Sequence, residues 1–359
     1  MKRITSKLKR SKKNEKPSRI TNETVAEHRE RILAGGRRFK YPVQYTKSRL
    51  VWTAIAIGLV LLVTFLAVSW WQLYRAQTTD SFYYRVTRII PLPVAQVDGE
   101  YVKYGDYLLN YKMSETYLDT AEKANQTQYA GGAGAQSVYD YYKAQAMQNA
   151  IVDTYAQKLA TQYGVTVTDK QVDDAVRALI QTSSGKSEVS QDVINRSVEQ
   201  LYGLSPSENR QYLRESLLRQ AVSYRVDNAA RQTADDIKAK LGKEPTKSFD
   251  DIVREYQGSS SGVQTLTSGW VKKDNKDGGL AAAAAKLSKG QATGPIKPLS
   301  GDGYYFVRLL DTNNQEEINY QLIKVPLREF KHQIESLKES GKITYYISVP
   351  EVKQQVQTK

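Results

Sequence analysis

The longest uninterrupted apolar stretch of the chain lies near its N-terminus. Residues 50–74 contain no charged side chain. At about 1.5 Å per residue, a helix of this length crosses a hydrocarbon layer of roughly 30 Å. Aromatic side chains stand at both of its ends, as the two lipid–water interfaces favour; they are Trp52, Trp70, Trp71 and Tyr74. The pattern predicts a single transmembrane helix over residues 50–74.

The pattern changes after the apolar stretch to short strands and amphipathic helices. Two runs of strand-forming residues, 94–97 and 100–102, flank Asp98-Gly99, which predicts a hairpin with a tight turn. Apolar positions at helical spacing then predict five helices. We expect them at about 106–124, 138–162, 169–180, 189–202 and 206–230, with a glycine-rich loop at 125–137.

Three capping boxes indicate where helices begin. In this motif a side chain at the N-cap and an acidic or amide side chain three residues later satisfy each other's backbone N–H groups. The pairs are Thr24 with Glu27, Thr168 with Gln171, and Ser205 with Glu208. The first predicts a short helix in the N-terminal tail that ends at Ala34, before Gly35-Gly36.

The positive charge of the chain is concentrated in this tail. The formal net charge is +14, and residues 1–49 account for +12 of it, with 16 Lys or Arg and 4 Glu. The positive-inside rule therefore places residues 1–49 in the cytoplasm and residues 75–359 outside the cell membrane. A basic segment beside an apolar helix favours contact with anionic lipid, so we expect membrane lipid to be a partner of the tail and of residues 50–74. The charge indicates topology, and no nucleic-acid partner is expected.

Residue usage excludes several classes of site. The absence of cysteine removes disulfides, thiolate metal sites and a cysteine nucleophile. The two histidines, His28 and His332, have no second ligand at metal-binding spacing, so neither a metal nor a cofactor is expected. His332 follows Phe330-Lys331 on a predicted terminal helix and is expected at the surface. The helical region shows no His, no Cys and no convergent carboxylate pair, so nothing in it looks catalytic.

The first half of the outer region resembles a known chaperone domain. The run VAQVDGEYVKYGDYLLNY resembles the opening of SurA-type and PrsA-type periplasmic or cell-surface chaperones, and the later runs YGVTVTDKQVDDAV and LYGLSPSENRQYLRESLLRQ are similar to the next helices of that domain. The match covers about residues 90–232. It implies a mostly helical chaperone domain over 75–232, with unfolded or newly exported polypeptides as partners.

The second half resembles a degenerate parvulin (PpiC-type) domain, a peptidyl-prolyl isomerase that such chaperones carry. Residues 234–241 and 248–256 are similar to its first two helices, and Ser268-Gly269-Trp270 stands where the family enters a strand. Residues 280–296 and 303–307 are similar to its next motifs. The resemblance implies an α+β chain with a tail at 1–49, a transmembrane helix at 50–74, a SurA-like domain at 75–232, a parvulin-like domain at 233–349, and a C-terminal tail at 350–359.

Prolyl isomerisation needs an apolar pocket and polar groups that favour the twisted amide, and it needs no nucleophile. The family builds the polar floor of this pocket with histidines, and here Tyr305 takes the position of one of them. The resemblance therefore makes Tyr305 the candidate catalytic residue. The candidate substrate-binding residues are Trp270, Leu280, Tyr304 and Leu322.

The first strand of the parvulin family has no counterpart before residue 234. A similar strand occurs late, at 318–325, where Leu322 replaces a family histidine. We therefore expect a permuted domain, in which 318–325 joins the sheet that contains 303–309. Three functions remain open at this point: a membrane-anchored foldase with isomerase activity, a chaperone that only binds, and a non-enzymatic adaptor of the cell envelope.

Overall fold

The computed structural model describes residues 21–40, 44–125, 133–184, 190–258, 261–298 and 301–350. The chain divides into two compact units, residues 1–71 and residues 72–359. Residues 1–20, most of the expected glycine-rich loop, and residues 351–359 of the expected C-terminal tail lie outside the described residues. The protein is mostly helical, with small antiparallel sheets, and so has the α+β class that the sequence predicts.

The first unit contains two helices, α1 (Asn22–Lys40) and α2 (Gln44–Trp70), and α2 continues into a π-helical turn, Trp71–Arg75. Helix α1 starts earlier than expected and continues through Gly35-Gly36, where we predicted its end. Glycine in a helix costs only about 1 kcal/mol relative to alanine, which neighbouring helix-forming residues offset. Residues 48–75 are the one helical segment of the described chain that is long and apolar enough to cross a membrane, and its apolar window is fully unburied.

The second unit begins with a helix that the sequence did not predict, α3 (Ser81–Ile89), and continues into the predicted hairpin, β1 (Pro93–Val97) and β2 (Glu100–Lys103). Asp98 and Gly99 form the turn, and both have positive φ angles, 46° and 90°. A tight turn of this kind matches the twist of the paired strands. Lys158 binds Asp98 at 2.6 Å and so fixes the turn to the helical part.

Five helices follow the hairpin, in the predicted order. They are α4 (Tyr104–Asn125), α5 (Ala133–Tyr163), α6 (Asp169–Ser184), α7 (Gln191–Tyr202) and α8 (Pro206–Val226). The capping boxes at Thr168 and Ser205 both form. Helix α8 ends four residues before the predicted Ala230, because Asp227 turns the chain and caps the next helix, α9 (Asn228–Lys243).

Asp227 joins three parts of the fold. It is 4 % exposed, and one of its carboxylate oxygens accepts the Ala230 N–H at 2.8 Å. Its other oxygen accepts the N–H groups of Arg328 and Glu329, at 2.7 and 3.1 Å. The same carboxylate therefore caps α9 and the start of the last helix, α12 (Glu329–Glu339).

The end of the described chain returns to the helical part. Strand β7 (Ile343–Tyr345) pairs antiparallel with β1, which gives a three-stranded sheet in the order β2-β1-β7. Phe330 and Leu337 of α12 are buried in the same apolar core as α4 and α5. These contacts place residues 329–349 with the first core, whereas the sequence analysis assigned them to the second domain. The apolar face of α12 is buried here because α5 and α8 offer a complementary surface.

The intervening segment forms the second sheet. Its elements are α10 (Phe249–Arg254), β3 (Gln264–Lys272), α11 (Leu280–Ala284), β4 (Ala292–Ile296), β5 (Gly303–Thr312) and β6 (Glu317–Pro326). The strands are antiparallel, in the order β3-β6-β5-β4. The late strand predicted at 318–325 thus lies in the sheet that contains 303–309, as expected. One face of the sheet packs on α9 and α10, and the other packs on α11.

Candidate functional site

Alternation along β5 places the two candidate tyrosines on opposite faces of the second sheet. Tyr305 packs in the core on the α11 side, together with Leu280 and Leu322. Tyr304 packs in the core on the α9 side, edge-to-face with Tyr224 at 5.1 Å. Because neighbouring residues of a strand point to opposite faces, a single pocket does not contain both rings. The structure brings Tyr305, Leu280 and Leu322 together and separates Tyr304 from them.

Trp270 is also separated from Tyr305. Its cross-strand partner on β6 is Asn319, whereas the α11 face carries Ile318 and Tyr320. Cross-strand partners share a face, so Trp270 extends from the opposite face, and it is 50 % exposed. The cause is a bulge between Thr267 and Trp270, where Gly269 has a φ of 66°. The pocket expected beside Tyr305, Trp270 and Leu280 is therefore divided between the two faces.

The phenol of Tyr305 is held by a charged pair. Its hydroxyl donates to both carboxylate oxygens of Asp302, at 3.0 Å each. Lys324, the cross-strand neighbour of Tyr305, binds the same carboxylate, and its ammonium lies 5.5 Å from the centre of the Tyr305 ring. Tyr305 as a whole is only 8 % exposed. The sequence analysis missed Asp302 and Lys324, although Asp302 lies only three residues from Tyr305.

The surroundings of Tyr305 keep it protonated. Burial raises the pKa of the phenol; the hydrogen bond with Lys324 opposes the rise, and the hydrogen bond to Asp302 adds to it. Burial alone would lower the pKa of Lys324, but its bonds to Asp302 and Tyr305 outweigh burial and raise it. At neutral pH the trio is thus a neutral phenol between a carboxylate and an ammonium. The phenol proton is already donated to Asp302, which leaves the ring as the part that a ligand would contact.

A second tyrosine positions α11 beside Tyr305. The hydroxyl of Tyr320 donates to Asp277 at 2.6 Å, and the same carboxylate accepts the N–H of Ala281 in the first turn of α11. Burial raises the pKa of Tyr320, and the bond to Asp277 adds to the rise. This pair fixes the helix that carries Leu280, and the sequence analysis missed it because the two residues are far apart in the chain.

The side chains on the α11 face are apolar and mostly packed against one another. Leu280, Leu322 and Tyr305 are each less than 10 % exposed, and Leu266 of β3, the cross-strand partner of Leu322, is 53 % exposed. An exposed leucine beside a packed apolar core is suited to contact with an apolar chain, and the burial of Tyr305, Leu280 and Leu322 leaves little of them to enclose a proline ring. Within the described residues, no group of three or more His, Cys, Asp or Glu side chains is arranged to hold a metal ion.

A cavity lies between helices α5, α8 and α12, beside Gly301 of the loop before β5. Its volume is about 330 Å³, and it opens between α5 and α8 on one side and α12 and Gly301 on the other. The apolar lining consists of Val152, Leu217, Phe330 and Ile334. The polar lining includes Arg219, whose guanidinium binds Asp153 at 2.7 Å, and Lys331. We call this cavity the α8–α12 groove.

Beneath the groove, three carboxylates converge from different helices, contrary to the sequence analysis. Asp106 of α4, Asp153 of α5 and Glu215 of α8 interact electrostatically in the helical core. Burial raises the pKa of Glu215 to about 7; the hydrogen bond from Gln211 opposes the rise, and the other two carboxylates add to it. The convergence was missed because the three residues lie on separate helices, up to 109 positions apart in the chain.

Comparison with known proteins identifies the helical part. A search of curated proteins found no match to the chain. A family model described as the SurA-like N-terminal domain matches residues 44–223, which is half of the chain. The matched range contains α2, the hairpin and helices α4 to α7, and it extends through most of α8. The chain therefore belongs to the family of proteins with a SurA-like N-terminal domain, a family of extracytoplasmic chaperones.

Proposed function

We propose that the protein is a membrane-anchored, extracytoplasmic foldase that binds unfolded segments of exported polypeptides in the α8–α12 groove. The observation that carries the proposal is this groove, an open cavity built partly from the SurA-like domain, in which four apolar side chains converge. Apolar side chains that converge on an open cavity bind exposed apolar segments with little demand on sequence. SurA-like chaperone domains in general bind unfolded proteins.

The proposed topology follows from charge and from the apolar helix. Residues 1–49 form the cytoplasmic tail, residues 50–74 cross the cell membrane, and the chain from residue 75 onward lies outside. The excess of Lys and Arg before the apolar helix supports this orientation. The tether keeps the groove close to the membrane surface, where exported chains emerge in an unfolded state.

We further propose that the second sheet is a permuted parvulin-like domain whose contribution to folding is contact with the client. The support is the position of β6, which pairs with β5 along its whole length. Against catalysis stand the engaged phenol of Tyr305 and the exclusion of Trp270 and Tyr304 from its face. Fold alone does not carry activity, so prolyl isomerase activity is the second candidate function. The observation that favours it is the packing of Tyr305 with Leu280 and Leu322 on one apolar face.

The test uses the full chain in lipid nanodiscs and a reduced, carboxymethylated α-lactalbumin as the permanently unfolded client. Leu217→Ser removes an apolar contact from the groove, and loss of a buried leucine contact of about 1.5 kcal/mol weakens the Kd about tenfold. Leu201→Ser is the matched control, because Leu201 is an exposed leucine on α7, outside the groove. Equal client affinity in both variants would refute binding in the groove.

The same sample separates the two candidate functions. Relaxation of X–Pro peptides from cis to trans is measured in the presence of the full chain, beside suppression of client aggregation. The binding function predicts suppression without acceleration of relaxation. Acceleration would establish the isomerase, whereas silence in both assays would leave the foldase proposal without support.

A further inference from the structure

Strand β3 is an open edge of the second sheet. Its described neighbour is β6 alone, so its other edge carries backbone N–H and C=O groups without a strand partner in the described chain. It has nine residues, whereas the other edge strands have five in β4, four in β2 and three in β7. Long edges are places where another extended chain pairs, and proteins usually shorten or cover them.

The exposed apolar side chains of this region are concentrated on β3. Between residues 203 and 344 of the described chain, the exposed large apolar side chains are Leu266 and Trp270, at 53 % and 50 %. Exposed leucine and tryptophan cost solvation free energy in the isolated protein, and tryptophan is a frequent anchor of interfaces. Their position on one open strand indicates a contact surface.

The bulge at Gly269 sets how that surface is used. Leu266 lies on the α11 face, opposite Leu322, and the bulge sends Trp270 to the other face, opposite Asn319. Successive side chains of an added strand alternate between the two faces of the sheet. A strand placed at this edge would therefore contact Leu266 with one of its faces and Trp270 with the other.

We propose that the free edge of β3 binds an extended segment of the unfolded client as an additional strand of the second sheet. This proposal rests on the proposed function, because it names how a client is held. Main-chain hydrogen bonds provide affinity for any sequence, and the exposed apolar pair adds preference for apolar side chains. Such a site gives a chaperone broad specificity.

Charge selects among possible occupants. Residues 264–273 contain Lys272 and Lys273, and neither lysine forms an ion pair in the described chain, although Glu317 lies opposite Lys272 on β6 and Asp274 follows Lys273. Opposite charges on neighbouring strands stabilise pairing, and like charges weaken it. An apolar segment with acidic residues is therefore the preferred occupant. A second folded copy of β3 fits less well, because the bulge bends the edge, whereas an unfolded segment adapts its register to the bend.

The experiment measures the Kd of fluorescent peptides for the full chain in nanodiscs. The first peptide alternates valine and glutamate over about the length of β3. The second has the same sequence with three alternate backbone amides methylated along one edge, and the third is methylated along the opposite edge. Only the peptide whose methylated edge faces β3 loses hydrogen bonds to the strand. Three lost hydrogen bonds at about 1 kcal/mol each are expected to weaken its binding about 100-fold. A valine–lysine peptide is expected to bind less tightly than the valine–glutamate peptide.

A protein variant tests the location. Leu266→Ser combined with Trp270→Ser removes both apolar contacts and leaves the charge of the edge unchanged, so we expect the valine–glutamate peptide to lose at least tenfold in affinity. Val193→Ser is the matched control, because Val193 is a similarly exposed apolar residue on helix α7. Circular dichroism checks that each variant is folded, and the methylated peptides test the proposal on the unaltered protein.

Three outcomes would overturn the proposal. Equal binding of all methylated peptides would show that the backbone edge is not used. Unchanged peptide affinity in the double variant would place the site elsewhere. The foldase function would still stand if the double variant continued to suppress client aggregation and only Leu217→Ser lost that activity. If light scattering shows that the double variant forms smaller oligomers than the native protein, while its affinity for the peptide is unchanged, the edge is a contact between copies of this chain.

Discussion

Glu215 gives the sharpest prediction, because its replacement alters one charge and little else. The change is Glu215→Gln, which keeps the size of the side chain and a carbonyl oxygen to accept the hydrogen bond from Gln211, 2.8 Å long in the native protein. In the native protein Glu215 shares the helical core with Asp106 and Asp153, with Arg88 nearby. The variant cannot ionise, so it removes the cost of burying the charge of Glu215 and the repulsion between it and the other two carboxylates.

The sign follows from proton linkage. The pKa of Glu215 is about 7 in the folded protein against an ordinary value of 4.5, so the folded state holds its proton more tightly than the unfolded state. The contribution of Glu215 to the free energy of unfolding is greatest below about pH 4.5 and falls as the pH rises through about 7. The variant lacks this contribution, so its free energy of unfolding is expected to depend less on pH.

The magnitude comes from the same pKa. One pKa unit corresponds to about 1.4 kcal/mol, so the displacement sets an upper limit of about 3 kcal/mol. Glu215 is partly exposed, and solvent screens the repulsion, so about 1 to 2 kcal/mol is expected. At pH 8.5 the variant should be more stable than the native protein by this amount, and at pH 4.5 the two should differ little.

The assay is urea unfolding of the full chain in nanodiscs, followed by far-ultraviolet circular dichroism from pH 4.5 to pH 8.5. Glu339→Gln is the control, because Glu339 is an exposed carboxylate near the end of α12. It should leave the pH dependence unchanged. If Glu215→Gln has the same pH dependence as the native protein, or is less stable at pH 8.5, the carboxylate cluster does not act as described.

Two further predictions concern hydrogen bonds at the second sheet. Tyr305→Phe removes the hydrogen bonds to Asp302 and should lower the free energy of unfolding by about 1 kcal/mol, while client affinity stays unchanged. A loss of client affinity would show that the phenol takes part in binding. Asp227→Ala removes the acceptor of three backbone N–H groups and should lower the free energy of unfolding by about 3 kcal/mol in urea, and Asp227→Asn should lower it by an intermediate amount. A loss below about 1 kcal/mol would show that water replaces the carboxylate.

The local features of the fold were predictable because their stabilising contacts lie within a few residues. The Asp98-Gly99 turn and the capping boxes at Thr168 and Ser205 form as expected, since each satisfies backbone groups beside it. The apolar helix was equally clear. By contrast, α3 was missed because it has only nine residues and gains its stability from contacts with α4 and α8, such as the bond of Arg88 to Asp106.

The candidate site was only partly predictable for a similar reason. Three of the candidate residues named from the resemblance, Tyr305, Leu280 and Leu322, pack together on one face. The position of Trp270 depends on a bulge at Gly269, and one extra residue in a strand moves every later side chain to the other face. Sequence alternation carries no sign of that extra residue.

The connections of the second sheet converge on Asp227. The chain leaves the helical core at the end of α8, beside this residue, and returns to it at Arg328 and Glu329, whose N–H groups the same carboxylate accepts. Both chain crossings thus meet at one side chain, and this carboxylate holds the sheet to the core together with contacts from α8, such as the hydrogen bond that Tyr224 donates to the carbonyl of Gly303 at 2.6 Å. The α8–α12 groove is lined by Ser223, one helical turn before Asp227, and by Phe330, two residues after Arg328. A change at Asp227 should therefore affect client affinity as well as stability, whereas Tyr305→Phe, on the far face of the sheet from α9, should affect stability alone.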